Sequence, residues 1–113
     1  MKYLLLICGD ESAAVHASDG CEGWSEEMTS RGVVEGGAGL APPSDATTVR
    51  VRDHQVLLTD GPFAETKEQV GGFCLIDCED LDEAIEIASK HPATRYGTIE
   101  IRPLLAGPPP DLS

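Results

Sequence analysis

Hydrophobic and polar positions follow several rhythms along this chain, and each rhythm predicts an element. Residues 2–8 (KYLLLIC) are almost uninterruptedly apolar. An extended segment of this kind carries hydrophobic side chains on both faces, so it predicts a central strand covered on both sides. Residues 72–77 (GFCLID) predict a second apolar strand, residues 98–102 (TIEIR) alternate with period two, and residues 33–40 form a strand broken by glycines. Val49 and Val51 alternate with Arg50 and Arg52, and residues 55–58 answer them across Asp53-His54, which is a hairpin signal. His54 is read there as a residue that tolerates turn geometry. Pro42-Pro43, within residues 41–46, cannot donate to a ladder and marks a stiff link.

Two stretches change to the helical period. Asp19 and Glu22 have capping-box spacing, Cys21, Trp24 and Met28 fall on one face, and Gly32 is placed to end the helix at its C′ position. Gly20 and Gly23 weaken its first turn by up to ~1 kcal/mol each relative to Ala. Asp80 and Glu83 repeat the capping spacing. Behind them, Leu81, Ala84, Ile85 and Ala88 form an apolar stripe closed by Lys90, His91 and Pro92. His91, in the last turn, is read as a cation that complements the helix dipole. Residues 9–12 end the first strand, and residues 13–17 are a loop containing His16.

The predicted order is strand, helix, strand, hairpin, strand, helix, strand. With the hairpin taken as an insertion, this is an α+β chain of ferredoxin-like βαββαβ type, with an antiparallel sheet in the order 4-1-3-2 and both helices on one face. Residues 1–104 are expected to form one domain, and residues 105–113, with Pro108-Pro109-Pro110, a flexible tail. The uncovered face of a sheet with so apolar a central strand calls for a second sheet. The expected assembly is a homodimer packed through that open face, a dimeric α+β barrel.

Composition narrows the function. Two Phe, two Tyr and one Trp in 113 residues leave the core to aliphatic side chains. The net charge of −12, from 20 acidic against 8 basic residues, argues against a nucleic-acid partner, whose phosphates are held by clustered Lys and Arg. It would favour a basic protein partner. Cys8, Cys21, Cys74 and Cys78 lack CxxC spacing, and the last two would lie about 13 Å apart on one strand, too far for a disulfide or a shared zinc. No metal or cofactor is expected. With no signal peptide and no apolar run near ~20 residues, the expectation is a cytoplasmic protein with no membrane span.

Residues 59–73 (TDGPFAETKEQVGGF) hold the candidate chemistry. The strand at 72–77 should run antiparallel to that at 2–8, which brings this stretch to the end of the first strand and the start of the last. The edge so formed would gather Asp10, Glu11, His16, Asp60, Glu65, Lys67, Arg95 and Tyr96. In a catalytic reading Asp60 is a general base, Tyr96 or His16 donates a proton, and Arg95 or Lys67 holds a small anionic ligand. Asp10, Glu11, Gly61, Pro62 and Phe63 would then line the binding site, glycine allowing close approach of backbone. A structural reading stands beside it. Asp-Gly-Pro makes a turn, Phe63 plugs it, and Lys67 lies in a solvated charge run.

The run from Asp60 to Glu68 (DGPFAETKE), followed by Gly71-Gly72-Phe73, resembles the DGPF branch of the YCII-related proteins. Residues 2–8 with Gly9-Asp10-Glu11, residues 80–84 and residues 95–97 fit the same pattern, so the resemblance spans nearly the whole chain. It implies a ferredoxin-like dimeric α+β barrel, a fold some of whose distant members are lyases, isomerases or dehalogenases. It also implies an alternative: a non-catalytic regulatory module whose partner is an extracytoplasmic-function sigma factor, near which many such proteins occur. The chain departs from the pattern between Ser12 and Cys21, where the family often has a longer first helix.

Overall fold

Strand β1 (Lys2–Gly9) is the axis of the sheet. A computed structural model describes residues 1–9, 21–62 and 69–105. β1 pairs antiparallel with β5 (Gln69–Asp77) on one side and with β6 (Thr98–Pro103) on the other. β5 takes β2 (Val34–Gly39) on its outer edge, which gives the order β2-β5-β1-β6. β3 (Thr47–Arg52) and β4 (Gln55–Asp60) form a separate two-stranded sheet, so the hairpin is an insertion in the βαββαβ order, as expected.

The alternation of β1 divides its side chains between two environments. Tyr3 and Leu5, with their register partners Ile76 and Cys74, are buried on one face. Trp24 and Met28 from helix α1 (Cys21–Ser30) and Ala84, Ile87 and Ala88 from helix α2 (Leu81–Ser89) complete that cluster. Both helices therefore cover the same face. On the other face Leu4 stands opposite Leu75 and Leu6 opposite Phe73, with Glu100 and Arg102 of β6 beside them in a 3.2 Å ion pair. Neither helix reaches that face, and Phe73 keeps 36% of its surface exposed.

Local signals explain the element ends. Gly32 takes φ +73°, and Val33 and Gly32 donate to the carbonyls of Met28 and Thr29 at 3.2 and 3.0 Å, a Schellman closure of α1. Asp80 caps α2 by accepting from the Glu83 N–H at 2.9 Å. Asp53 and His54 both have positive φ, 51° and 63°, the requirement of a two-residue hairpin turn with the twist of its strands. The helices are tied by the Trp24 indole N–H donating to the Ile87 carbonyl at 2.9 Å and by the two-pronged contact of Arg31 with Glu86 at 3.1 and 2.9 Å.

The structure corrects several expectations. The buried stripe of α2 is Ala84, Ile87 and Ala88, whereas Leu81 and Ile85 are each 49% exposed. The helix turns Ile87 toward the sheet, where it packs with Ala84 and Ala88 against Trp24 and Met28. β5 begins at Gln69, three residues before the expected strand, and Gly71 forms a bulge, since Ile7 pairs with Gly72 but Cys8 with Val70. β4 runs on to Asp60, so this residue ends a strand opposite Thr47. His91 is not a charged helix terminus; it is 5% exposed and caps the next turn. Cys8, Cys74 and Cys78 form no disulfide, and burial pushes the thiols of Cys74 and Cys78 up, away from thiolate chemistry. The tail from residue 106 onward lies outside the described residues. No helix among the described residues is long and apolar enough to cross a membrane.

One backbone contact holds the start of β6 against the end of β1. A Cβ at Gly97 would collide with the Cys8 carbonyl oxygen and meet Gly9 Cα at 3.2 Å, and both are backbone atoms that cannot step aside. Gly97→Ala should therefore destabilise the fold by about 2 kcal/mol or more. Gly36→Ala, where a Cβ has nothing within 4 Å, should shift stability by about 0.5 kcal/mol or less. Urea unfolding of the two variants measures the contrast.

Candidate functional site

The C-terminal end of β1 is where three chain segments converge. Gln69 pairs with Gly9, Thr98 pairs with Cys8, and Gly97 presses against the Cys8 carbonyl. The turn that leads into Gly97 is a short 3₁₀ helix, Pro92–Arg95. His91 caps it, its Nδ1 accepting the Ala93 N–H at 3.0 Å, while Gly97 donates to the Ala93 carbonyl at 2.7 Å. Proline after the cap supplies the φ of the first helical position and has no N–H to leave unpaired. Arg95 and Tyr96 are thereby carried to the outside of this turn, both exposed.

They form one wall of a pocket of about 410 Å³, with Pro92 and Lys90 beside them and Gly23, Trp24 and Glu27 of α1 opposite. Gly23 has open space where a side chain would project, which leaves the rim of α1 low. Trp24 is itself 8% exposed, and its ring meets the buried His91 ring edge-on at 4.7 Å, so the indole is held from behind. Burial pushes the His91 imidazole below its ordinary pKa, and it stands as a neutral ring that accepts at Nδ1.

Charge in the pocket is distributed unevenly. Lys90 Nζ lies 3.4 Å from Glu27 Oε2 and 3.9 Å from Glu86 Oε2, so this cation is already balanced. Arg95 makes no ion pair with any described residue. In a chain of net charge −12, a guanidinium with no carboxylate partner among the described residues, beside an indole, a phenol and a proline ring, has the chemistry to take an anionic oxygen next to an apolar surface. Among the described lining residues, Glu27 is the sole carboxylate and it is engaged with Lys90.

The sequence-predicted residues fall into three groups. Arg95 and Tyr96 stand together on the pocket. Asp60, Gly61 and Pro62 stand at the foot of the hairpin and are not part of the pocket's described lining. There Gly61, at φ +96°, donates to the Ala46 carbonyl at 2.7 Å and accepts from the Thr48 hydroxyl at 2.8 Å, whereas the Asp60 side chain bonds no described residue. Asp10, Glu11, His16, Phe63 and Lys67 lie outside the described residues. Trp24, Glu27, Lys90 and Pro92 were not expected at a site. The stripe Cys21–Trp24–Met28 marked Trp24 as core, and Lys90-His91-Pro92 reads as a helix stop. The usable signal was the pairing of that stop with Arg95-Tyr96 a few residues on.

Three comparisons place this chain among known proteins. The family model for the YCII-related domain matches residues 1–106. An uncharacterised protein of Rhizobium meliloti (strain 1021) is 37% identical over 131 residues, covering 99% of this chain and 98% of that protein. Among solved structures, 5-chloro-2-hydroxyhydroquinone dehydrochlorinase of Burkholderia phenoliruptrix AC1100, in complex with 2,5-dihydroxybenzoquinone, has a TM-score of 0.58 at 14% identity, covering 95% of this chain and 96% of that one. That likeness is one of fold.

The buried His91 predicts a pH dependence whose sign follows from its environment. Its folded-state pKa lies below the unfolded value near 6.5, so the unfolded chain binds the extra proton as pH falls through that value. Stability from this group is full above about pH 6.5 and declines below it, by at most about 1.4 kcal/mol per pH unit. His91→Asn keeps an acceptor for the Ala93 N–H and cannot take up the proton. Thermal melts of both proteins between pH 7.5 and 5 should show a steeper acid-side decline for the native chain.

Proposed function

This chain belongs to the YCII-related family, and from that membership and the pocket at its sheet edge we propose that it is a small-molecule-binding domain whose ligand is a compact anion with an apolar ring. The observation that carries the reading is Arg95, a cation without a carboxylate partner among the described residues, set beside Trp24, Pro92 and Tyr96 in about 410 Å³. That volume lies in the range of small-ligand sites. The fold neighbour's bound dihydroxybenzoquinone is a compact oxygenated ring, and this supports the choice of ligand class. In the bound state Arg95 takes the anionic oxygens, the Tyr96 hydroxyl reaches a second polar group, and Trp24 and Pro92 cover the ring. Turnover of lyase or isomerase type would need a base, for which Asp60 is the sequence candidate; binding comes first because Asp60 is absent from the described lining.

The open sheet face suits a second copy of the chain. Leu4, Leu6, Phe73 and Leu75 form an apolar centre with no described helix over it, rimmed by Glu100 and Arg102. A homodimer closing there would bury these side chains.

Two measurements test these readings. In thermal melts against hydroxybenzoates and hydroxyquinones, a ligand at ~100-fold its Kd should add about 2.7 kcal/mol and raise Tm by roughly 10 °C. Arg95→Met should abolish that rise while keeping the ligand-free Tm; an equal rise in both proteins, or in neither, would count against the site. Sedimentation equilibrium should give twice 12.0 kDa for the native chain and 12.0 kDa for Leu6→Glu.

A further inference from the structure

We propose that the β3–β4 hairpin is a dimerisation arm that lays its aliphatic face on a second copy of this chain. The register divides the ribbon into two unlike faces. Val49 stands opposite Leu58 and Val51 opposite Val56, all four on one side, while Arg50, Arg52 and Gln55, with Leu57 among them, point to the other. Those four aliphatic residues are 60%, 68%, 57% and 64% exposed respectively. Among the described residues no other strand or helix packs extensively along the hairpin, whose foot is closed by the Gly61 N–H donating to the Ala46 carbonyl. A two-stranded ribbon is marginal by itself in water and needs a covering surface.

Area and charge select the occupant. A fully buried Val or Leu removes roughly 60–120 Å² of apolar surface from water, so the arm's four residues, each a little over half exposed, can contribute about 150–300 Å² per copy. The sheet face, whose leucines are already half-buried by their neighbours, contributes about 200 Å² by the same measure. Together they approach the apolar share, about 65% of ~800 Å² per partner, of a stable homodimer, which neither surface reaches alone. Arg50 and Arg52 balance Asp53 and Asp60, leaving the arm with no net charge in a chain of −12. A neutral arm meets another acidic copy without like-charge repulsion and has nothing to select a basic partner of a different kind.

The inference rests on the dimer reading and is tested so that the two can fail separately. Sedimentation equilibrium over a concentration series would compare the native chain, Leu6→Glu, and a variant carrying Val49→Thr, Val51→Thr, Val56→Thr and Leu58→Thr, substitutions that keep strand propensity. The arm variant should dissociate at about 100-fold higher concentration than the native chain. A native monomer sinks both readings. A native dimer with an unchanged constant in the arm variant overturns the arm alone, and a dimer that survives Leu6→Glu but not the arm variant keeps the arm and removes the sheet face. Hydroxyl-radical footprinting of the native chain guards against local misfolding in the variant. Oxidation of Val49 and Leu58 should fall as the dimer forms; oxidation independent of concentration would overturn the arm.

Discussion

The fold depends on a strand that is hydrophobic on both sides while the described helices cover only one of them. β1 places Tyr3 and Leu5 against Trp24, Met28 and Ile87, and by the same alternation places Leu4 and Leu6 on the opposite face. One residue of slip would exchange the two sets, so the register is held strongly. With few aromatics to fill it, the helical side packs by aliphatic contact and by one well-aimed polar bond, from the Trp24 indole to the Ile87 carbonyl. Packing of Ala84, Ile87 and Ala88 in this cluster turns Leu81 and Ile85 outward.

Most of the architecture was legible because the signals were backbone signals. Gly32, Asp53-His54 and Asp80 each do in the structure what their local chemistry dictates: a left-handed residue closing a helix, a hairpin turn with two positive φ values, a capping carboxylate. The four-strand order followed from the succession of elements. The errors lie where tertiary contact overrode a local rule. Leu81 and Ile85 fit the helical stripe as well as Ile87 does, and only the partner helix decides among them. His91 has the position of a dipole-balancing cation, but Trp24 seals it from water and desolvation makes the neutral ring the favoured form. Asp60-Gly61-Pro62 spelled a turn, and the ladder of β4 extends to its first residue because Thr47 offers a partner across the ribbon.

The pocket was half legible for the same reason. Arg95 and Tyr96 could be assigned to the edge from topology, since they precede a strand that must begin beside the end of β1. Trp24 and Lys90 come from helices whose faces are set only by packing, and no spacing rule brings residue 24 to residue 96. The result is a site with one wall read from connectivity and one wall produced by the helix–helix contact.

That division bears on which features of the site can vary. The position of Arg95 and Tyr96 is fixed by main-chain atoms, through the Gly97 approach to Cys8 and the Ala93 carbonyl that accepts from Gly97. The opposite wall is fixed by side chains, which substitution can alter at a cost of about 1–3 kcal/mol without moving the turn. A site built this way keeps its location while its chemistry changes. The residues that can change the character of this site without moving it are therefore those on the side-chain wall. The indole of Trp24, backed by the ring of His91, gives that wall an apolar surface, and Arg95 faces it across the pocket without an ion pair to any described residue.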